Sequence, residues 1–207
     1  MKIINKENYS QRWASIQDNL GTAFAELGAR TGNKSHFYES VKFYNAALEV
    51  FSIKNNPQLW ASTQNNLANV YAQMGDFTSD VDQLEKALVA YNNSLKARDS
   101  ISDPKSWAIT KQNIGSLYLT LSKLKSDTQL LHNAINAFTL ANKVFISIND
   151  KENSALVYTN LGLAFFHIAR DTSYIKYIDK ANSSYQKALN IIEKEKKQCI
   201  GRQFKMG

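Results

Sequence analysis

The sequence predicts an all-α protein built as a stack of four helix-turn-helix repeats, eight helices in all, and three observations carry that expectation. The first is a 47-residue register: Trp13, Trp60 and Trp107 stand at that spacing, as do Asn19-Leu20-Gly21, Asn66-Leu67-Ala68, Asn113-Ile114-Gly115 and Asn160-Leu161-Gly162. A register held through four copies without an insertion marks like units that bury a face against their neighbours. The second is composition. Of 207 residues 43% are hydrophobic, enough for a substantial core, while only 2 Pro and 8 Gly leave little with which to build turn-rich β structure. The third is that apolar residues in each copy follow a helical period in two stretches separated by a polar gap, the pattern of a helical hairpin.

The elements follow in order. In the second copy Trp60, Leu67, Tyr71 and Met74 share one face of a first helix, and Leu84, Leu88, Tyr91 and Leu95 share one face of a second. Starts of first helices are marked by Asn56 with Pro57, Asp103 with Pro104, and Asp150 with Lys151, because a short polar side chain caps orphan N–H groups and proline suits the first turn. Asn33, Asp80 and Asp127 mark the starts of second helices, and Gly28 and Gly75 suit the ends of the first two first helices. The helices then run roughly over 11–28, 34–54, 57–75, 81–99, 104–122, 128–148, 151–169 and 174–197. The repeats occupy roughly 11–56, 57–103, 104–150 and 151–197 within a single domain, between an extension at 1–10 and a basic, disordered tail at 198–207.

Small residues at fixed places predict where helices approach closely: Gly21, Ala68, Gly115 and Gly162 in first helices, Ala47, Ser94, Ala141 and Ala188 in second helices. Two aromatic rows fill the space beside them, Phe24, Tyr71, Tyr118 and Phe165 in one, Tyr44, Tyr91, Phe138 and Tyr185 in the other. The fourth copy departs from the pattern. Ser154 replaces tryptophan and Asn182 stands where others have Val41, Leu88 and Ile135, which suits a terminal unit; a further departure, Asn142 in the third copy, at the place of Leu48 and Leu95, has no evident purpose. Ile175, Ile178, Ile191 and Ile192 leave the end incompletely capped, so a homo-oligomer through the C-terminal end is a possible partner arrangement.

These residues resemble the tetratricopeptide repeat, whose helix-turn-helix unit is 34 residues long. The second copy carries Leu67-Ala68 and Tyr71, then Ala87, Tyr91 and Ser94; the fourth carries Leu161-Gly162 and Phe165, then Ala181, Tyr185 and Ala188. Here the unit is longer, and the tryptophan lies about one turn early, with Gln17, Gln64, Lys111 and Tyr158 at the customary place. The Trp-Ala-x-Thr-Gln-Asn-Asn-Leu stretch is similar to long-unit arrays of bacterial multidomain proteins, and Asn-Asn-Leu-Ala to the repeats of kinesin light chain. The resemblance, over about residues 10–197, implies a right-handed α-α superhelix whose first helices line a concave groove.

On that geometry the groove offers Ser15, Asp18, Thr22, Ala25 and Glu26, then Ser62, Asn65, Asn69, Ala72 and Gln73, then Ile109, Gln112, Ser116, Leu119 and Thr120, then Leu156, Thr159, Leu163, Phe166 and His167. None is Lys or Arg. Phosphate neutralisation supplies most nucleic-acid affinity, so no nucleic acid is expected in the groove, and a chaperone-type carboxylate clamp lacks its basic members. The first half is polar; the second carries Ile109, Leu119, Leu156, Leu163 and Phe166. That apolar half suits an amphipathic peptide, the chain's own tail with Ile200 and Phe204, or a second copy of the chain. Asn19, Asn66, Asn113 and Asn160 either hold a ligand's backbone or bond to neighbouring helices and loops. Asn65, Asn69 and Gln73 are irregular among the copies and therefore the better specificity candidates.

Charge and chemistry narrow the function. Net charge is +7, but residues 187–207 hold six basic and two acidic residues, so more than half of the excess sits in the last tenth of the chain. His36, His132 and His167 occupy different phases of the repeat, Cys199 is the one cysteine, and no phosphate loop or nucleophile elbow occurs. No cofactor, metal or catalytic site is expected. No apolar run reaches the ~18 residues of a membrane span, which points to a soluble, cytoplasmic protein. The leading reading is a non-enzymatic scaffold binding a peptide or protein in the groove. The alternatives are a regulatory or sensory module controlling a bacterial effector enzyme, and nucleic-acid binding through the basic tail.

Overall fold

The computed structural model describes residues 9–172 and 174–203, the side chains of 171–172 and 198–203 excepted. Among the described residues there are eight helices and no strand: α1 (Ser10–Thr31), α2 (Lys34–Leu48), α3 (Pro57–Thr78), α4 (Val81–Ser94), α5 (Pro104–Lys125), α6 (Thr128–Ser147), α7 (Lys151–Thr172) and α8 (Ile175–Gln203). Each odd helix packs on the even helix that follows it. The chain divides into two compact units, Met1–Ser102 and Asp103–Gly207, each of two repeats. Within the first unit α2 also packs on α3 and α1 touches α3; within the second, α6 packs on α7 and α5 touches α7.

Second-helix caps form as the sequence predicts. The Asn33 side chain accepts the Ser35 N–H, Asp80 accepts those of Asp82 and Gln83, and Asp127 accepts that of Gln129. At the first helices Asn56 and Asp103 make no such side-chain cap, and proline at the first turn supplies the preset φ instead. Asp150 does cap its helix, accepting the Asn153 N–H at 3.2 Å.

The expected helix ends need correction at two kinds of place. Gly28 and Gly75 do not end helices; α1 and α3 run on to Thr31 and Thr78, and the left-handed residues after the helices are Gly32 (φ 66), Ser79 (φ 55) and Ser126 (φ 52). Gly28 and Gly75 are instead points of closest approach, where a Cβ would stand 2.9 Å from the Phe37 ring and 2.6 Å from Leu84. The even helices α2 and α4 stop short of 54 and 99. After α2 the chain bends so that Phe51 buries itself with Ala14 and Ala47, against Trp13 and Trp60. After α4 the Asp99 carboxylate collects the N–H groups of Ile101 and Ser102, holding the chain in a turn, and these bonds with the Ser102 hydroxyl lower its pKa. At the other end α8 continues past 197 to Gln203.

The aromatic rows pack as expected, with Tyr44, Tyr91 and Phe138 buried and Phe24, Tyr71, Tyr118 and Phe165 half-buried. Beneath three members of the second row glycine leaves the space the ring occupies: a Cβ on Gly21, Gly115 or Gly162 would lie 2.8, 2.6 or 2.5 Å from the ring of Tyr44, Phe138 or Tyr185, whereas Ala68 holds this place beneath Tyr91. In the second unit Ala108, Ala134, Phe138, Ala141, Phe145, Val157 and Leu161 form one core, with Ile109 and Leu119 packed on it.

Candidate functional site

The first-helix faces named from the sequence divide between the two units. In the first unit they are polar and largely tied into the fold. Thr63 on α3 donates its hydroxyl proton to Asp18 Oδ1 on α1 at 2.7 Å, linking adjacent repeats. Burial raises the Asp18 pKa above the usual carboxylate value, and the Thr63 bond opposes that rise. Asn69 accepts the Tyr91 hydroxyl at 2.6 Å, and one repeat earlier Thr22 and the Tyr44 hydroxyl are 3.0 Å apart. The irregular polar residues at 22 and 69 therefore serve the tyrosines of the second row; where that row has Phe138, the same position is the exposed Ser116. Asn65 and Asn66 are half-buried, and Asn19 and Gln73 are exposed.

One basic side chain reaches this face from outside the first helices. Arg98, beyond the end of α4, donates to Ser62 Oγ at 2.9 Å. The sequence hides this because Arg98 occupies the repeat position of Phe51 and Phe145, both core residues.

In the second unit the face is apolar and more open. Leu156, Leu163 and Phe166 on α7 are 48%, 38% and 50% exposed. Their spacing places them along one stripe of the helix. Ile109 and Leu119 on α5 are half-buried against the core, and Asn113 and Asn160 are half-buried. Gln112 is buried, and its Oε1 has no hydrogen-bond partner. It stands at the place of Asp18, but the place of Thr63 is taken by Val157, which has no hydroxyl to offer.

Asn142, without evident purpose in the sequence, proves to be coupled to Ser154, where tryptophan is lost. Ser154 Oγ donates to Asn142 Oδ1 at 2.7 Å, and both residues are buried. Loss of tryptophan at 154 is matched by a polar residue at 142. At the C-terminal end Ile175, Ile178 and Ile192 are exposed, whereas Cys199, Ile200, Arg202, Phe204 and Lys205 lie outside the described side chains. No helix among the described residues is long and apolar enough to cross a membrane, and none of their His, Cys, Asp and Glu side chains gather in threes as a metal site would need.

A tetratricopeptide repeat family model matches residues 60–100. No curated protein sequence matches the chain. Similar solved structures include a chain of the DHF58 filament, at 13% identity and a TM-score of 0.47, with 89% of this chain and 94% of that one covered. They also include BtubC (BKLC) from P. vanneervenii, at 13% identity and 0.37, covering 93% and 91%, and MamA, at 18% and 0.35, covering 82% and 96%. The match to the tetratricopeptide repeat model falls on the second of the four copies, and positions of its helices recur at the 47-residue spacing in the other three.

Proposed function

We propose that the chain is a non-enzymatic scaffold that binds an amphipathic segment of a protein partner on its first-helix faces. The observation that carries this reading is the exposed stripe of Leu156, Leu163 and Phe166 on α7, a helix held in place by α6 on one side and α8 on the other. Apolar side chains at helical spacing on a supported surface match the anchors of a partner helix or extended strand. Tetratricopeptide repeats mediate protein–protein interaction, which agrees with this reading. Ile109, Leu119, Asn113, Asn160 and Gln112 are the other groove positions assigned to the second unit from the sequence. Asn19, Asn65, Asn66, Asn69 and Gln73 form the polar counterpart in the first.

A panel of fluorescently labelled amphipathic peptides tests the assignment by anisotropy. The Phe166→Glu and Leu163→Glu proteins should bind at least about tenfold more weakly, since a charge facing an apolar anchor is left unpaired on binding. Their melting temperatures should fall only modestly, because both side chains are already partly exposed to water. Unchanged affinity in a folded variant removes α7 from the binding surface.

A further inference from the structure

We propose that copies of this chain stack head to tail, the exposed face of α8 of one copy seated on the exposed face of α1 of the next, so that the repeat continues from molecule to molecule. Within each unit such a junction is already made. In the first unit Phe37 and Tyr44 of α2 are buried with Leu67 and Met74 of α3; in the second Phe145 of α6 is buried with Leu161 of α7.

The two ends of the chain hold the halves of the same junction. On α1 Ile16, Leu20 and Leu27 are 36–42% exposed and lie along one stripe of the helix. One repeat later their places hold Thr63, Leu67 and Met74, all buried beside α2, and in the last repeat Val157, Leu161 and Ile168, all buried. On α8 Ile178, Leu189 and Ile192 are 45–55% exposed. Three repeats earlier their places hold Phe37 and Phe51, both buried, and Leu48, packed on the cluster that joins α2 to α3.

A repeat that ends in water needs polar residues at these places, since each unit buries its face only against a neighbour. Leucine and isoleucine there leave each end short of one neighbour, and the missing neighbour of each is what the opposite end presents. The repeat also presets the register. Such a contact is heterologous, using a different surface on each partner, so one joint leaves a face of each kind open for further copies. Asn182 sets its strength. It is exposed on α8 where Val41, Leu88 and Ile135 stand in the other copies, and stacking takes its amide out of water against an apolar stripe, which keeps the joint weak and reversible.

Sedimentation velocity of the full chain over a concentration series tests this, with a thermal melt of each variant to check its fold. The average mass should rise with concentration above that of one chain. Leu20→Glu/Leu27→Glu, which disables the α1 face, and Ile178→Glu/Ile192→Glu, which disables the α8 face, should each raise the dissociation constant at least about tenfold. An equimolar mixture of these two variants should nevertheless form dimers, because the intact α8 face of the first fits the intact α1 face of the second. Asn182→Leu should tighten association at least about tenfold. A full chain that stays single at every concentration, a mixture that stays single, or association undiminished in either variant overturns the proposal, the last because it identifies a contact between two like faces or elsewhere. Association that appears only once residues 198–207 are removed gives the α8 face to the chain's own tail and overturns it as well.

Discussion

Asp18 shows how a single position in a repeat acquires its own pH response. Because burial raises its pKa above 3.8, the folded protein holds this proton more tightly than the unfolded chain does. The resulting stability is fully present below about pH 4 and is lost as pH rises through the raised value. Asn keeps an acceptor for the Thr63 hydroxyl and has no charge to bury. Asp18→Asn should therefore raise the melting temperature at neutral pH and flatten its fall between acid and neutral pH, and thermal melts across that range check it; an unchanged profile contradicts the assignment. Asn142 and Ser154 give a second test at this scale. Replacing either with Ala leaves the other's polar atom buried without this partner, a loss of about 1–3 kcal/mol. The double Ala variant should lose less than the two singles together, and denaturant unfolding of the four proteins measures the difference.

At the scale of the element, helix starts were legible and helix ends were not. Asn33, Asp80 and Asp127 cap second helices because an N-cap needs only its own side chain and the next two or three N–H groups, all local in sequence. Ends depend on what the following residues can reach. Phe51, past the end of α2, is buried in a cluster with the nearby Ala47 and with Ala14, a contact far away in sequence. Gly28 and Gly75 resemble caps by position yet act as spacers beneath Phe37 and Leu84. The same spacing argument makes Gly162→Ala destabilising by about 1–3 kcal/mol, since the new methyl would meet the Tyr185 ring at 2.5 Å and either the ring or α8 has to shift. Loss of denaturation midpoint with little change in slope is the expected signature; full stability in this variant would mean that the ring moves aside without loss.

For the whole molecule, the division into units of two repeats bears on unfolding. Each unit has its own buried clusters, Phe37, Tyr44, Leu67, Val70 and Met74 being one in the first and the Phe138 and Phe145 core another in the second. Stability in repeat arrays is a sum of local terms, so the units need not melt as one. Scanning calorimetry should give a calorimetric enthalpy larger than the van't Hoff value, with Trp13 and Trp60 reporting the first unit and Trp107 the second. Equal enthalpies and coincident signals would instead establish one cooperative transition.

The repeat length, the four helical hairpins, the glycine-aromatic packing and the apolar character of residues 156, 163 and 166 were all present in the sequence by itself. Each is a periodic or local property, and periodicity survives in one dimension. Tertiary structure alone decided which irregular residues have work inside the fold. It joined Asn69 to Tyr91, Asp18 to Thr63 and Asn142 to Ser154, and brought Arg98 to Ser62. Those pairings join different helices, and whether a polar side chain meets a partner or is left without one, as Gln112 Oε1 is, depends on distances across helices that repeat spacing does not encode.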